Sequence, residues 1–310
     1  MRRVIIDTDT ATDDAVALLL ALRAPDIQIE AITIVVGNVD FDQEAENALY
    51  TIQMAGRSGQ VPVYLGARQP MLHSYHSTVT NVHGVDGMSN SFFPKAKQRP
   101  ERQHAVDAIT SIVNKYPGEV TLFAIGGFTN VALALQNQSV RENLAAIYFM
   151  GGSYMFCGNI TPAATYNAWV DPEATRIMIR SGVLLWMTGF DVTYRYSIFT
   201  DADYDQVAKL GTPLAKFFWD INRVRRVFCK EVQHMAGSNH PDSLCVATFI
   251  DPSIITKSVQ RAADSEVSGE LTSGMIVIDE LGIWKKKPNL NICVTADEAR
   301  FKALVMKSLS

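Results

Sequence analysis

Residues 4–14 read Val4-Ile5-Ile6-Asp7-Thr8-Asp9-Thr10-Ala11-Thr12-Asp13-Asp14, three apolar residues followed by four carboxylates within eight positions. The apolar run reads as a short buried strand. Ala15 to Leu22, stopped by Pro25, reads as a helix. The acids therefore occupy a strand-to-helix turn, the opening of an α/β fold. In open α/β sheets ligands bind in the crevice at the carboxyl ends of the strands. Asp13 and Asp14 also suit the positive N-terminal end of a helix.

Carboxylates this close repel one another and hold protons at neutral pH unless an opposite charge sits among them. A divalent ion is the simplest such charge, and oxygen-only ligands favour a hard cation, Ca2+ or Mg2+. An EF-hand loop starting at Asp7 is excluded, because its glycine position holds Thr12 and its bidentate glutamate position holds Leu18. A phosphatase of the haloacid dehalogenase type would use Asp7 and Asp9 as nucleophile and acid but would not need Asp13 and Asp14. A solvated turn with Asp caps is the plain structural reading, and four acids together weigh against it.

Working outward, strand-like and helix-like segments alternate. Ile29 to Val36 is a β-branched run ending at Gly37-Asn38, Phe41 to Gly56 reads as a helix, and Val61 to Leu65 as a strand. The rhythm continues with a helix near Ala105 to Lys115, a strand at Val120 to Ile125 and a helix opening near Thr129. Strands at Ile147 to Met150 and Val183 to Met187 bracket a helix after Asp171-Pro172-Glu173, and Asp201 to about Met235 is mostly helical. This predicts a single α/β domain, residues 1–310, with a central, mainly parallel sheet flanked by helices. Pro70 to Arg102, rich in polar and turn residues, is expected to be a loop beside the site.

A hydrophobic content of 47% with 19% charged residues describes a globular chain with a large core. The net charge of −4 gives no case for binding nucleic acid or an anionic membrane. The basic runs Arg223-Val224-Arg225-Arg226 and Lys285-Lys286-Lys287 read as solvated faces. The four cysteines, Cys157, Cys229, Cys245 and Cys293, are widely spaced and read as reduced thiols. Only three apolar residues precede Asp7, far short of a signal-peptide core, so a cytoplasmic protein is expected. No apolar run approaches the ~20 residues of a membrane-spanning helix, and no GxxxxGK[ST] loop suggests a kinase.

Several strand ends carry amides or small residues: Asn38, Gly126-Gly127-Phe128-Thr129-Asn130, and Asn159 with Asn167. An amide offers donor and acceptor without charge, which suits a polyol such as a sugar. Here the stretch DTDTATDDA resembles the opening motif of the inosine-uridine nucleoside hydrolase family, which usually reads Asp-x-Asp-Pro-Gly-x-Asp-Asp-Ala. ITIVVGN, NVHG, GGFTN, YFMGG, GNITPAATYN and WVDPEA follow in the family's order, and the match extends to Asp242.

The resemblance implies that Asp9 and Asp14 bind Ca2+ with the Ile125 carbonyl and Asp242, and that Asp9 also takes the proton of the attacking water. It implies that Asp13, Asn38 and Asn167 hold the ribose 2′- and 3′-hydroxyls, that Asn159 and the Met150 region hold the 5′ end, and that His83 lines the base side. The product would be ribose and a free base. A homodimer or homotetramer acting on a small-molecule nucleoside is implied, with no nucleic-acid or membrane partner.

The departures bear on the substrate. Thr10 and Ala11 replace the motif's proline and glycine but keep every carboxylate. Thr165 stands where the family has a glutamate on the 5′-hydroxyl, which makes a modified 5′ group conceivable. Pro241 stands where the family commonly has a histidine that protonates the leaving base, leaving His240, one residue earlier, and His83 as candidates. Uracil leaves as a comparatively stable anion, so the lean is toward pyrimidine nucleosides. The alternatives are the same metal site acting on a different or modified N-riboside, a non-catalytic ribose or nucleoside binder, and, more distantly, the phosphatase.

Overall fold

A computed structural model of the protein describes residues 1–73 and 78–310; the part of the expected Pro70 to Arg102 loop at residues 74–77 lies outside the described residues. The chain opens with β1 (Arg2–Thr8), β2 (Ile27–Ile34), β3 (Val63–Leu65) and β4 (Val120–Ala124). β5 (Leu144–Met150) and β6 (Leu185–Thr188) complete the expected strands. β7 (Ile198–Thr200) and β8 (Gly237–Asn239) pair as a separate antiparallel ribbon. β9 (Ile255–Ser265), β10 (Ile276–Asp279) and β11 (Leu290–Ala296) go beyond the segments that the sequence patterns pick out.

Nine strands form one sheet in the order β10-β9-β11-β6-β5-β4-β1-β2-β3. From β6 to β3, and between β11 and β6, every pairing is parallel. β9 runs antiparallel to β11 and to β10, giving a mainly parallel sheet with one antiparallel edge. The chain passes from β1 to β2 and β3 on one side and later to β4, β5 and β6 on the other, so the direction of winding reverses at β1. That reversal opens a crevice at the carboxyl end of β1. There Asp7 pairs in register with Thr33 of β2 and Ala124 of β4, which brings Gly37-Asn38 and Ile125-Gly126 to the same edge.

Both faces of the sheet are covered, as the apolar run of β1 requires. Val4 and Ile6 pack into one core with the helices Thr12–Arg23, Phe41–Met54, Pro241–Ile250 and Glu298–Leu309. Ile5, pointing the other way, joins a second core with the helices Ala105–Lys115, Thr129–Ala134 and Pro172–Ile179. All three side chains are wholly buried, each contributing about 1.5–3 kcal/mol. The helix Thr12–Arg23 is buried on every side from Thr12 to Leu22, which explains its apolar sequence all round. Between residues 78 and 102 the one regular helix is the turn Thr80–His83. Among the described residues no helix is long and apolar enough to cross a membrane.

Candidate active site

The β1-to-helix turn is not solvated. Asp7, Asp9 and Asp14 are fully buried and Asp13 is 4% exposed, so the capped-surface-turn reading fails. Each acid has a different set of partners. Asp14 accepts from Thr8 Oγ1 at 2.7 Å and, as an N3 residue reaching back to the helix start, from the Ala11 N–H at 3.1 Å. Asn38 links two of the acids: its N–H donates to Asp9 Oδ2 at 3.1 Å and its Nδ2 to Asp14 Oδ2 at 3.3 Å. Asp7 turns away from the cleft, accepting from Thr33 Oγ1 at 2.5 Å and Asn130 Nδ2 at 2.8 Å. This placement removes Asp7 as a nucleophile and makes Asn130 a brace between strands, correcting its grouping with the ligand-binding amides.

Asp9 is held by close packing. A Cβ on Gly37 would lie 1.8 Å from Asp9 Oδ2, and one on Gly126 would lie 2.7 Å from the Asp9 nitrogen. Only glycine fits at these two positions. Asp242 arrives from the first turn of the helix Pro241–Ile250, where the proline suits the position because its missing N–H would have had no helical partner. Asp13, Asp14 and Asp242 each offer an oxygen within 4.8 Å of the others. Asp9 Oδ1 and Asp242 Oδ1 are buried with no hydrogen-bond partner among the described residues.

Burial, with Asp14 next to it, holds the Asp9 carboxyl well above its usual range. Asp242 is raised by burial and by Asp13 and Asp14, and Asp14 is pushed up to about 7. For Asp13 burial pulls the same way, but the Arg225 guanidinium outweighs it and holds the group below its ordinary value. Without a cation Asp9 and Asp242 retain their protons. An all-oxygen set with two orphaned carboxylate oxygens fits a hard divalent ion.

Asp13 and Asp242 line a cleft beside this turn, with Asp9 and Asp14 buried outside its lining. Asp13, Asn38, His83, Ile125, Met150, Asn159, Asn167 and Asp242 all line it, so the fold collects most of the residues that the sequence singled out. Asn167 Nδ2 donates to the Ile125 carbonyl at 2.7 Å and to that of Met150 at 3.1 Å. The Ile125 oxygen keeps a second lone pair for another partner. His83 Nδ1 lies 2.7 Å from Thr12 Oγ1, and burial lowers the ring to about 3, so it is neutral.

Asp9 and Asp14 lie outside the cleft lining but are tied to it through Asn38, whereas Thr165 and His240 are not brought in. Thr165 is buried, and its Oγ1 accepts from the Gly152 N–H at 2.6 Å. His240 is wholly buried outside the cleft lining, stacked on Phe218 and edge-on to Phe199, with Nε2 3.1 Å from Ser238 Oγ.

Other residues carry weight that the sequence reading did not give them. Arg225, read as part of a solvated basic run, is 5% exposed and paired with Asp13 at 2.9 Å. Its Nε also donates to the Asn239 carbonyl at 2.8 Å. The signal was helical phase, since Arg225 and Cys229, four apart, are the buried positions of the helix Arg223–Glu231. Glu44, buried near the acids, accepts from the Val39 N–H at 3.1 Å and occupies the buried face of its helix with Ala45 and Ala48. Tyr166 lines the cleft, and its hydroxyl donates to the Gly37 carbonyl at 2.8 Å.

Residues 4–303 match the inosine-uridine preferring nucleoside hydrolase family. The pyrimidine-specific ribonucleoside hydrolase RihA of Enterobacter sp. (strain 638) is 33% identical over 99% of this chain and 97% of its own. The inosine-uridine preferring nucleoside hydrolase of Leishmania major is also 33% identical, over the same shares. In three dimensions a purine-preferring ribonucleoside hydrolase from Gardnerella vaginalis superposes with a TM-score of 0.92 at 27% identity, covering 99% of this chain and 98% of that one. The chain therefore belongs to the inosine-uridine preferring nucleoside hydrolase family and is an N-glycosyl hydrolase.

Proposed function

We propose that the protein cleaves ribonucleosides to ribose and free base with a Ca2+ ion held by Asp9, Asp14, Asp242 and the Ile125 carbonyl. The observation that carries the reading is the pair of buried, unpartnered oxygens, Asp9 Oδ1 and Asp242 Oδ1, among carboxyl groups that burial keeps protonated in the absence of a cation. When bound, Ca2+ supplies Lewis-acid help that makes water easier to deprotonate.

Within the chain, Asp9 is the base. It takes the proton of the water that attacks C1′ as the bond to the base breaks. The sugar passes through an oxocarbenium-like state, and the surrounding carboxylates favour its positive charge. Asp13, Asn38 and Asn167 fix the 2′- and 3′-hydroxyls, so a deoxyribose would leave buried polar groups unpaired. Asn159 and Met150 face the 5′ end and His83 the base.

Among the described residues the leaving base finds no ready proton. His83 is neutral, His240 is packed among aromatic rings, and Arg225 holds its protons far too tightly to act as an acid. This supports the lean to pyrimidine nucleosides, whose uracil leaves as a stable anion; the relatives are named for pyrimidine and for purine substrates alike. The test is base release from inosine, adenosine, guanosine, uridine and cytidine, before and after chelation. Release lost on chelation, restored by Ca2+ and fastest with uridine is the expected result; no release from all five overturns the reading in favour of a binder or another N-riboside.

A further inference from the structure

The wall of the cleft differs in character along its length. Its charged side chains, Asp13, Asp242 and Arg225, belong to the acidic floor and the ion pair built on it. The part formed by the end of β5, the loop at residues 151–165 and the turn after β6 is lined instead by Met150, Ile160 and Phe190. Phe190 is anchored there by its N–H on the Gly152 carbonyl at 2.8 Å and by an edge-on contact with Tyr194.

The polar groups nearby are limited. The Thr165 oxygen accepts from the Gly152 N–H, and the residue is 1% exposed and outside the cleft lining. Asn159 Oδ1 accepts from the Tyr166 N–H at 2.7 Å, which leaves its amide donor for a ligand. Gln233 adds an uncharged amide to the lining. A free hydroxyl placed against Met150, Ile160 and Phe190 would meet no carboxylate among the described lining residues there and would depend on the amide oxygens of Asn159 and Gln233 for its proton, whereas a methyl or thioether would fit the wall.

We infer that the preferred substrates are ribonucleosides whose 5′ position carries an apolar or acceptor-only group, as in 5′-deoxy and 5′-alkylthio ribonucleosides, instead of a free hydroxyl. The inference rests on the hydrolase reading, because that reading turns the 5′ carbon toward Asn159 and Met150 once the diol is seated on Asp13, Asn38 and Asn167. The loop at residues 151–165 then selects the sugar's 5′ substituent independently of the base.

The experiment is the ratio of kcat/KM values within matched pairs on the Ca2+-loaded full chain: 5′-deoxyuridine against uridine, and 5′-methylthio-5′-deoxyadenosine against adenosine, followed by base release. The modified member is expected to be favoured by about tenfold, the scale of one methyl-sized group in an apolar pocket. Preference for the parent hydroxyl in both pairs overturns the inference while leaving the hydrolase reading intact. No base release from any of the four removes the hydrolase reading and this inference with it. Ile160→Asp places an acceptor on the wall and is expected to lower the ratio at least about tenfold; an unchanged ratio in a folded variant also overturns the inference. The wild-type ratio needs no variant to fold.

Discussion

Arg225 grips both carboxylate oxygens of Asp13, Nη1 to Oδ1 at 3.1 Å and Nη2 to Oδ2 at 2.9 Å, with both side chains buried. The pair joins the helix Arg223–Glu231 to the helix that starts at the acidic turn, and it points the Asp13 carboxylate into the cleft. Removing one partner of a buried pair strands the other charge, which typically costs about 3–5 kcal/mol. Arg225→Ala is therefore expected to lower the urea midpoint and raise KM together. Arg225→Lys keeps the charge but loses the two-pronged contact and should fall between. Wild-type stability and KM in the alanine variant would show that the ion pair does nothing for the site.

The Asp9 assignment has a chemical test and a steric one. Asp9→Asn should keep its circular dichroism spectrum and lose about 10²–10⁴ in kcat, the usual scale of a general base. Gly37→Ala leaves the carboxylate in place chemically but puts a methyl 1.8 Å from Oδ2, so Asp9 has to move. A comparable loss of kcat is expected, since small misplacements of a reacting group are costly. Near-normal turnover in Gly37→Ala would mean that the position of Asp9 does not matter and would refute its role as the base.

His240 is sealed between Phe218 and Phe199, with ring centroids at 5.3 Å and 5.0 Å. Burial lowers its pKa to about 3, so it carries no charge at neutral pH. A neutral ring packed in this way is a core residue. His240→Phe preserves the shape and should change kcat/KM by less than about tenfold, well under the 10²–10⁴ of a general acid. A drop of that larger size, with Tm unchanged, would return His240 to the mechanism.

The sequence was most legible where local pattern and tertiary position agree. The β1 run and the helix behind it are apolar on every side because both are covered on every side, and the helix expected near Ala105 to Lys115 forms there. The acidic cluster was legible because four carboxylates in one turn are costly wherever they sit. Arg225 was not, because a run of three arginines among four residues reads as solvent-facing; only the phase of the folded helix turns one guanidinium inward and leaves Arg223 exposed. His240 and Thr165 show the same limit. The family resemblance put Thr165 near the site and its place just before Pro241-Asp242 put His240 there, but side-chain direction, fixed by the Gly152 N–H in one case and by Ser238 and the aromatic rings in the other, keeps both out of the cleft lining.

Asp7 provides a pH test separate from the cleft. Burial raises its carboxyl from 3.8 to about 7, and the bonds from Thr33 and Asn130 only partly offset this. A group whose folded pKa lies above its unfolded one contributes stability that is complete below about pH 4 and is lost as pH rises through about 7. The full swing is up to about 4 kcal/mol. Asp7→Asn keeps an acceptor for Thr33 and Asn130 without titrating. Its new amide N–H2 meets an Oδ2 site with no partner, so the sign of the effect is read from the slope with pH and not from the offset at one pH. The stability of Asp7→Asn relative to wild type should climb from pH 4 to pH 7 and level off above, with chelator present in both samples so that cation binding cancels. A flat difference across that range would show that Asp7 is already ionised in the folded protein at pH 4.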